Sequence, residues 1–171
     1  MKKPVIVFFL LFIIMLSVNA QNLLRKGQYH LNGGLGFSDW GIPFYTGADF
    51  GVHKDITVGL EGSFRTYNED ITGAIYNSTI FGLSGNGNYH FNTLTGIPWK
   101  WDLYAGINLG YFYWSLPPDY PGNSSSGVGF GAQIGGRYFF SEVVGLNLEF
   151  SLGNSFSGGK IGITYILGNN P

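Results

Sequence analysis

The sequence contains no cysteine, which excludes a disulfide-stapled scaffold and a lipid anchor attached through an N-terminal thiol. Charge is scarce as well: Lys, Arg, Asp and Glu make up 11% of 171 residues, where a soluble domain carries about a quarter. Nine bases and ten acids nearly cancel, so there is no basic surface for nucleic acid. No Gly-rich phosphate loop is present either, which leaves nucleotide binding unsupported. After residue 20 no apolar run approaches the roughly 20 residues that a membrane-spanning helix needs. Disorder is excluded by an aromatic content of 18%. An apolar chain that is neither a helical membrane protein nor disordered is left with β-structure facing lipid.

The N-terminus reads as an export signal. Lys2 and Lys3 precede the apolar stretch Val5 to Val18, and Val18-Asn19-Ala20 supplies a small-residue cleavage pattern. The run is short for a membrane span and no positive cluster follows it. The expected organisation is a cleaved signal peptide over 1–20, a periplasmic leader over 21–27, a barrel over 28–167 and a tail over 168–171.

From Gln28 onward the hydrophobic period is two. It predicts eight strands over 28–38, 44–53, 57–67, 79–91, 101–114, 128–140, 144–153 and 158–167. In the seventh, Val144, Leu146, Leu148, Phe150 and Leu152 share one face, and Gly145, Asn147, Glu149, Ser151 and Gly153 share the other. About ten residues is the length of a tilted strand crossing hydrocarbon. Charge placement supports this frame. Of the seventeen charged residues after residue 20, ten fall in the leader or connections: Arg25, Lys26, Asp39, Lys54, Asp55, Glu69, Asp70, Lys100, Asp119 and Glu142. The remaining seven, Asp49, Glu61, Arg65, Asp102, Arg137, Glu149 and Lys160, all fall on the polar phase of a strand. Aromatics form two bands on the apolar phase, one with Tyr29, Trp101 and Tyr165, the other with Phe37, Phe44, Phe64 and Tyr111, as expected at two headgroup levels. Tight turns at Lys54–Ile56 and Ser141–Val143 belong on the periplasmic side. Longer connections at Asp39–Pro43, Asn68–Ser78 and Ser115–Gly127 belong outside. The nine residues Asn92–Lys100 depart from this rule.

The predicted fold class is therefore all-β: an eight-stranded antiparallel up-and-down transmembrane barrel with a filled polar lumen. A soluble lipocalin-like barrel is the rival fold, and it would carry its charges on the opposite face. Over residues 28 to 167 the pattern resembles the small eight-stranded outer-membrane barrels grouped with the OmpX, OmpA-barrel and opacity-protein families, porin-family outer-membrane proteins. The resemblance implies residence in the outer membrane of a Gram-negative-type bacterium. It also implies outer-membrane lipid and the barrel assembly machinery as partners. Such barrels commonly end in an aromatic residue; here Tyr165-Ile166-Leu167 is followed by Gly168-Asn169-Asn170-Pro171.

Three sets of residues are candidates for function. The seven inward charges are near neutral in sum and are expected to form a structural ion-pair network, a conducting pore being the alternative. A three-residue turn at Lys54–Ile56 predicts Asp49 opposite Glu61, bridged by Arg65 or Arg137, with an acid/base dyad as the alternative. His30, His53 and His90 are expected as a polar ring near the periplasmic end, with Asp102 roughly opposite His90. Zinc ligation is the alternative there, and no metal or cofactor is expected. Tyr76 and Tyr120, in outer loops, are candidates for an extracellular ligand. Leu60-Glu61-Gly62-Ser63 and Leu148-Glu149-Phe150-Ser151 echo each other at comparable heights on two strands. Barrels of this size that act on lipid A place a His and a Ser near the outer face, whereas all three histidines here map to the other end. The expected role is structural or surface-interacting, monomeric and without catalytic chemistry. A narrow channel for small or apolar solutes comes second and a lipid-modifying enzyme third.

Overall fold

The computed structural model describes residues 26–71, 73–122, 124–154 and 157–168. The predicted signal peptide, most of the predicted leader and residues 169–171 lie outside the described residues. Eight antiparallel strands are present: β1 (Tyr29–Ser38), β2 (Phe44–His53), β3 (Ile56–Ile71), β4 (Ala74–His90), β5 (Trp101–Ser115), β6 (Gly127–Phe139), β7 (Val144–Gly153) and β8 (Gly158–Leu167). Each pairs with the next, and β8 closes on β1 with Tyr29 opposite Leu167. Closure leaves no sheet edge, so the ladder satisfies its own N–H and C=O groups where water is absent.

The two faces are inverted relative to a soluble protein. Leu60 (64% exposed), Ile107 (71%) and Phe130 (64%) point outward, while Asp49 (4%) and Arg137 (2%) are buried inside. Side chains alternate with period two along a strand, so one phase of each strand faces lipid and the other lumen. The aromatic bands occupy the two rims of the outer face. Trp101 meets Tyr138 with ring centroids 4.8 Å apart at one rim, and Phe64 meets Phe81 at 5.2 Å near the other.

Strands β2, β7 and β8 have their predicted bounds, β1 and β5 differ by a residue at one end, and β6 is shifted by one residue at both ends. The predicted loop Asn68–Ser78 is corrected. Strand β3 runs to Ile71 and β4 begins at Ala74, so these residues form a ribbon rising above the rim, paired from Thr66↔Thr79 to Ile71↔Ala74. Polar residues concealed the extension, because a ribbon standing in water has no lipid face to demand alternation. Tyr76 thus lies on a strand. The connection over 92–100 holds one helical turn, α1 (Asn92–Thr95), closed by Gly96 at φ 61°. Its first side chain, Asn92, bonds the backbone of Trp101 and Leu103 and ties the turn to the start of β5.

The register between β2 and β3 is also corrected. Asp49 faces Gly59 and Glu61 faces Gly47, because the pairing shifts between Gly51 and His53. The bulge adds a residue to β2 and tightens the turn to Lys54-Asp55. Relative to the predicted register the strands slip by two residues from Gly51 upward, which preserves the face of each side chain there but changes its height, while His53 beyond the bulge changes face.

Inside, four bulky rings each lie across from a glycine: Tyr45 from Gly34, Phe112 from Gly82, Tyr104 from Gly135 and Phe139 from Gly145. A Cβ at Gly135 would overlap the Tyr104 ring, whereas one at outward-facing Gly87 would meet nothing. Gly135→Ala is expected to cost about 1–3 kcal/mol through overpacking. Gly87→Ala is expected to be near neutral. Urea unfolding from lipid vesicles compares them, and equal midpoints would mean that Tyr104 is free to move.

Candidate functional site

All seven charges assigned to the lumen lie on its wall, and six of them join in two clusters. Near the periplasmic end Arg137 donates from Nη2 to Asp49 Oδ2 (2.6 Å) and from Nη1 to Asp102 Oδ2 (3.2 Å) and His30 Nδ1 (3.2 Å). Its guanidinium also lies 4.7 Å from the Tyr104 ring centre. A second carboxylate oxygen of Asp102 accepts from His90 Nδ1 at 2.7 Å, and His90 Nε2 meets Thr57 Oγ1 at 3.0 Å. Nearer the middle, Lys160 Nζ donates to both oxygens of Glu61 (2.9 and 2.8 Å) and meets Glu149 Oε1 at 2.8 Å. The two glutamates of the echoed tetrapeptides thus converge on one lysine.

Neutral side chains join the clusters. Tyr104 donates to Glu149 Oε2 (2.9 Å), linking the cation–π partner of Arg137 to the Lys160 group. Tyr45 donates to Asn147 Oδ1 (2.7 Å), Asn147 to Thr164 (3.1 Å), Thr164 to Asn32 (2.7 Å) and Asn32 to Asp49 (2.8 Å). Such closure matters because a buried charge without partners is costly. Along the axis, among the described residues, are two small cavities of about 30 and 20 Å³. Each has room for about one or two waters.

Several predicted placements change. The Asp49–Glu61 dyad does not form, since each carboxylate has its own cation, Arg137 for one and Lys160 for the other. Arg65 lies nearer the outer mouth, 3.4 Å from Ser38 Oγ, with its guanidinium 5.4 Å from the Trp40 ring centre. His53 leaves the proposed ring. The bulge re-aims it, its side chain is 57% exposed, and its Nδ1 accepts from the Asp55 backbone N–H in the turn. His30 and His90 are buried in the lumen (1% each). Among the described residues no three His, Asp or Glu side chains are placed to hold a metal ion. Thr57 is a further member that composition and spacing do not single out, although its inward phase on β3 is a signal for it.

Thr57, His90 and Asp102 are connected as a hydroxyl, an imidazole and a carboxylate, the order used to activate a nucleophile. Thr57 is fully enclosed, so no carbonyl substrate reaches its hydroxyl in this arrangement. The chain of bonds closes the periplasmic end. Outside it, Asp55 accepts from the Thr93 hydroxyl of α1 and fastens the β2–β3 turn to that cap.

At the other end the β3–β4 ribbon and the β5–β6 connection form the mouth. Tyr120 donates to Glu69 Oε2 at 2.6 Å, and its ring meets Tyr76 edge-on with centroids 5.8 Å apart. The two tyrosines expected in loops therefore touch. Bonding to the Glu69 carboxylate raises the Tyr120 hydroxyl above the ordinary phenol range. Below them is a cavity of about 360 Å³ lined in part by Trp40, Tyr67, Glu69, Phe112, Trp114 and Ser124. Trp40 and Trp114 meet edge to face at 5.5 Å.

Comparison with curated protein sequences found no match. Among solved structures the chain is similar to OprG from Pseudomonas aeruginosa, with a TM-score of 0.64 and 10% identity over 84% of this chain and 97% of that one. It is also similar to Ail from Yersinia pestis in a phospholipid bilayer nanodisc, with a TM-score of 0.54 and 10% identity over 84% of this chain and 100% of Ail. Neisserial surface protein A matches with a TM-score of 0.52 and 15% identity, covering 82% of this chain and 94% of its own. At these identities the likeness concerns the fold. The sequence itself carries the stronger link, since residues 8–169 match the family described as outer membrane protein beta-barrel domain. An inverted closed barrel, two aromatic rims and that match lead to one conclusion: the chain belongs to the outer membrane protein β-barrel domain family and is an outer-membrane β-barrel of the Gram-negative type.

Proposed function

We propose that this protein is a sealed structural barrel that interacts through its extracellular rim and performs no catalysis. The observation that carries this reading is the ion-paired lumen, in which Arg137 and Lys160 are each held by two carboxylates. A filled interior is what eight strands enclose. The enclosed Thr57 hydroxyl argues against the lipid-modifying alternative, and the small axial cavities argue against the channel. Closure leaves no sheet edge for edge-to-edge pairing, and the protein is proposed to act as a monomer. Its partners on this reading are outer-membrane lipid, the barrel assembly machinery during insertion, and a ligand at the outer mouth. Residues 1–20 are proposed to be removed on export, leaving 21–27 as a leader.

Single-channel recording in a planar bilayer tests the seal. No sustained conductance above background is expected at neutral pH. Stable, discrete openings that survive trimming of the β5–β6 connection would overturn the sealed reading and favour a channel.

A further inference from the structure

We infer that the cavity at the outer mouth is a binding site for an organic cation of the quaternary-ammonium or amine class. This rests on the reading of the extracellular rim as the functional face, and names what that face takes. Two independent observations carry it. The first is the lining: Trp40, Tyr67, Phe112 and Trp114 surround about 360 Å³, with the Glu69 carboxylate on the same wall. That volume lies within the range of small-molecule sites, roughly 300–1,000 Å³. Aromatic faces carry negative quadrupole potential, and several of them around one space suit a poorly hydrated cation more than a neutral solute. A carboxylate at the edge then supplies the counter-charge. Its position is set by Tyr120, whose hydroxyl donates to Oε2 at 2.6 Å.

The second observation is charge. Above the outer rim the chain carries Asp39, Glu69, Asp70 and Asp119, and no Lys or Arg occurs in 39–43, 66–79, 115–127 or 154–157. The bases of the connections, Lys26, Lys54 and Lys100, all lie at the periplasmic end. A rim of one sign above a low-dielectric cleft raises the local concentration of counter-ions. Arg65, two residues nearer the membrane than Tyr67 on the same face of β3, is the base closest to the cavity in sequence order. Its guanidinium already lies 5.4 Å from the Trp40 ring centre. One ring of the set thus already holds a cation within the protein, which leaves Tyr67, Phe112 and Trp114 to face a ligand's charge.

The test uses the full barrel refolded in detergent, titrated by calorimetry with choline and with 3,3-dimethyl-1-butanol, which has the same shape without the charge. Saturable choline binding is expected, about tenfold or more tighter than the neutral alcohol. Glu69→Gln and Trp114→Leu should each weaken it by about tenfold, the expected scale for losing a counter-charge or an aromatic face. Heat-modifiable gel migration checks that both variants fold. Equal binding of the two probes overturns the assignment, as does binding unchanged in both folded variants or no saturable binding by the folded parent. Tighter binding of glucose than of choline would make the site a sugar site and overturn it as well. Conductance separates this failure from failure of the wider reading: a silent barrel that ignores choline stays a sealed barrel with no cation site.

Discussion

Arg137→Ala is expected to lower the unfolding free energy by about 3–5 kcal/mol, the cost of stranding the partners of a buried ion pair. The guanidinium is 2% exposed and bonds Asp49, Asp102 and His30. Without it the buried carboxylates of Asp49 and Asp102 lose the cation they share. Lys54→Ala serves as the comparison. That lysine sits in the β2–β3 turn with its side chain 60% exposed, 3.7 Å from Asp55. An exposed pair contributes about 0–1 kcal/mol. Urea unfolding from lipid vesicles measures both. Equal losses would show a hydrated lumen in which pairing contributes little, and the sealed reading would lose its main support.

Leu148→Arg should lower stability by about 2–4 kcal/mol if the residue lies near the bilayer midplane, and less toward either interface. Leu148 is 44% exposed on the outer face of β7, between Gly136 and Ile161. The adjacent Asn147 points inward, 5% exposed and bonded to Tyr45 and Thr164. An arginine at 148 would have no route to the lumen without inverting the strand. Leu148→Phe, which keeps the site apolar, is the control and should fold as the parent does. Cysteine labelling gives a second readout, since the native chain has no thiol. Leu148→Cys should react with a lipid-soluble reagent and resist a water-soluble one. If Leu146→Cys, Leu148→Cys and Phe150→Cys all labelled from water while Glu149→Cys did not, the faces would be reversed and a soluble barrel would be the better description.

Strand phase was legible because lipid and lumen impose opposite polarity on alternate residues. Asp102, Glu149 and Lys160 could be placed on the inner wall without knowing what they touch. Heights were harder to read. Register between β2 and β3 depends on whether the turn takes two residues or three, and both choices keep Asp49 inward. The bulge that decides it leaves no mark in the hydrophobic pattern, so the pattern alone sets Asp49 against Glu61 and His53 in the lumen, and the structure holds neither. For β6 and β7 the tight turn holds the strands in a register that sets Asn147 against Arg137. The ribbon above the rim escaped notice for a related reason. Glu69 and Tyr76 lie where water bathes both faces, and alternation has nothing to record there.

By itself the sequence determined the strand count, the barrel's two faces and the identity of its inward charges, since these follow from a period of two imposed by solvent on each side. Which charge meets which was decided by tertiary structure alone. Lys160 on β8 joins Glu61 on β3, ninety-nine residues away, and Arg137 on β6 joins Asp49 on β2, eighty-eight away. Partners across a closed barrel are set by shear and by the turns at both rims, and no local pattern carries that information. The same holds for the mouth, where Trp40 comes from the β1–β2 connection, Glu69 from the upper part of β3 and Trp114 from the end of β5. They become one site only when the sheet has closed and its ends have been brought together.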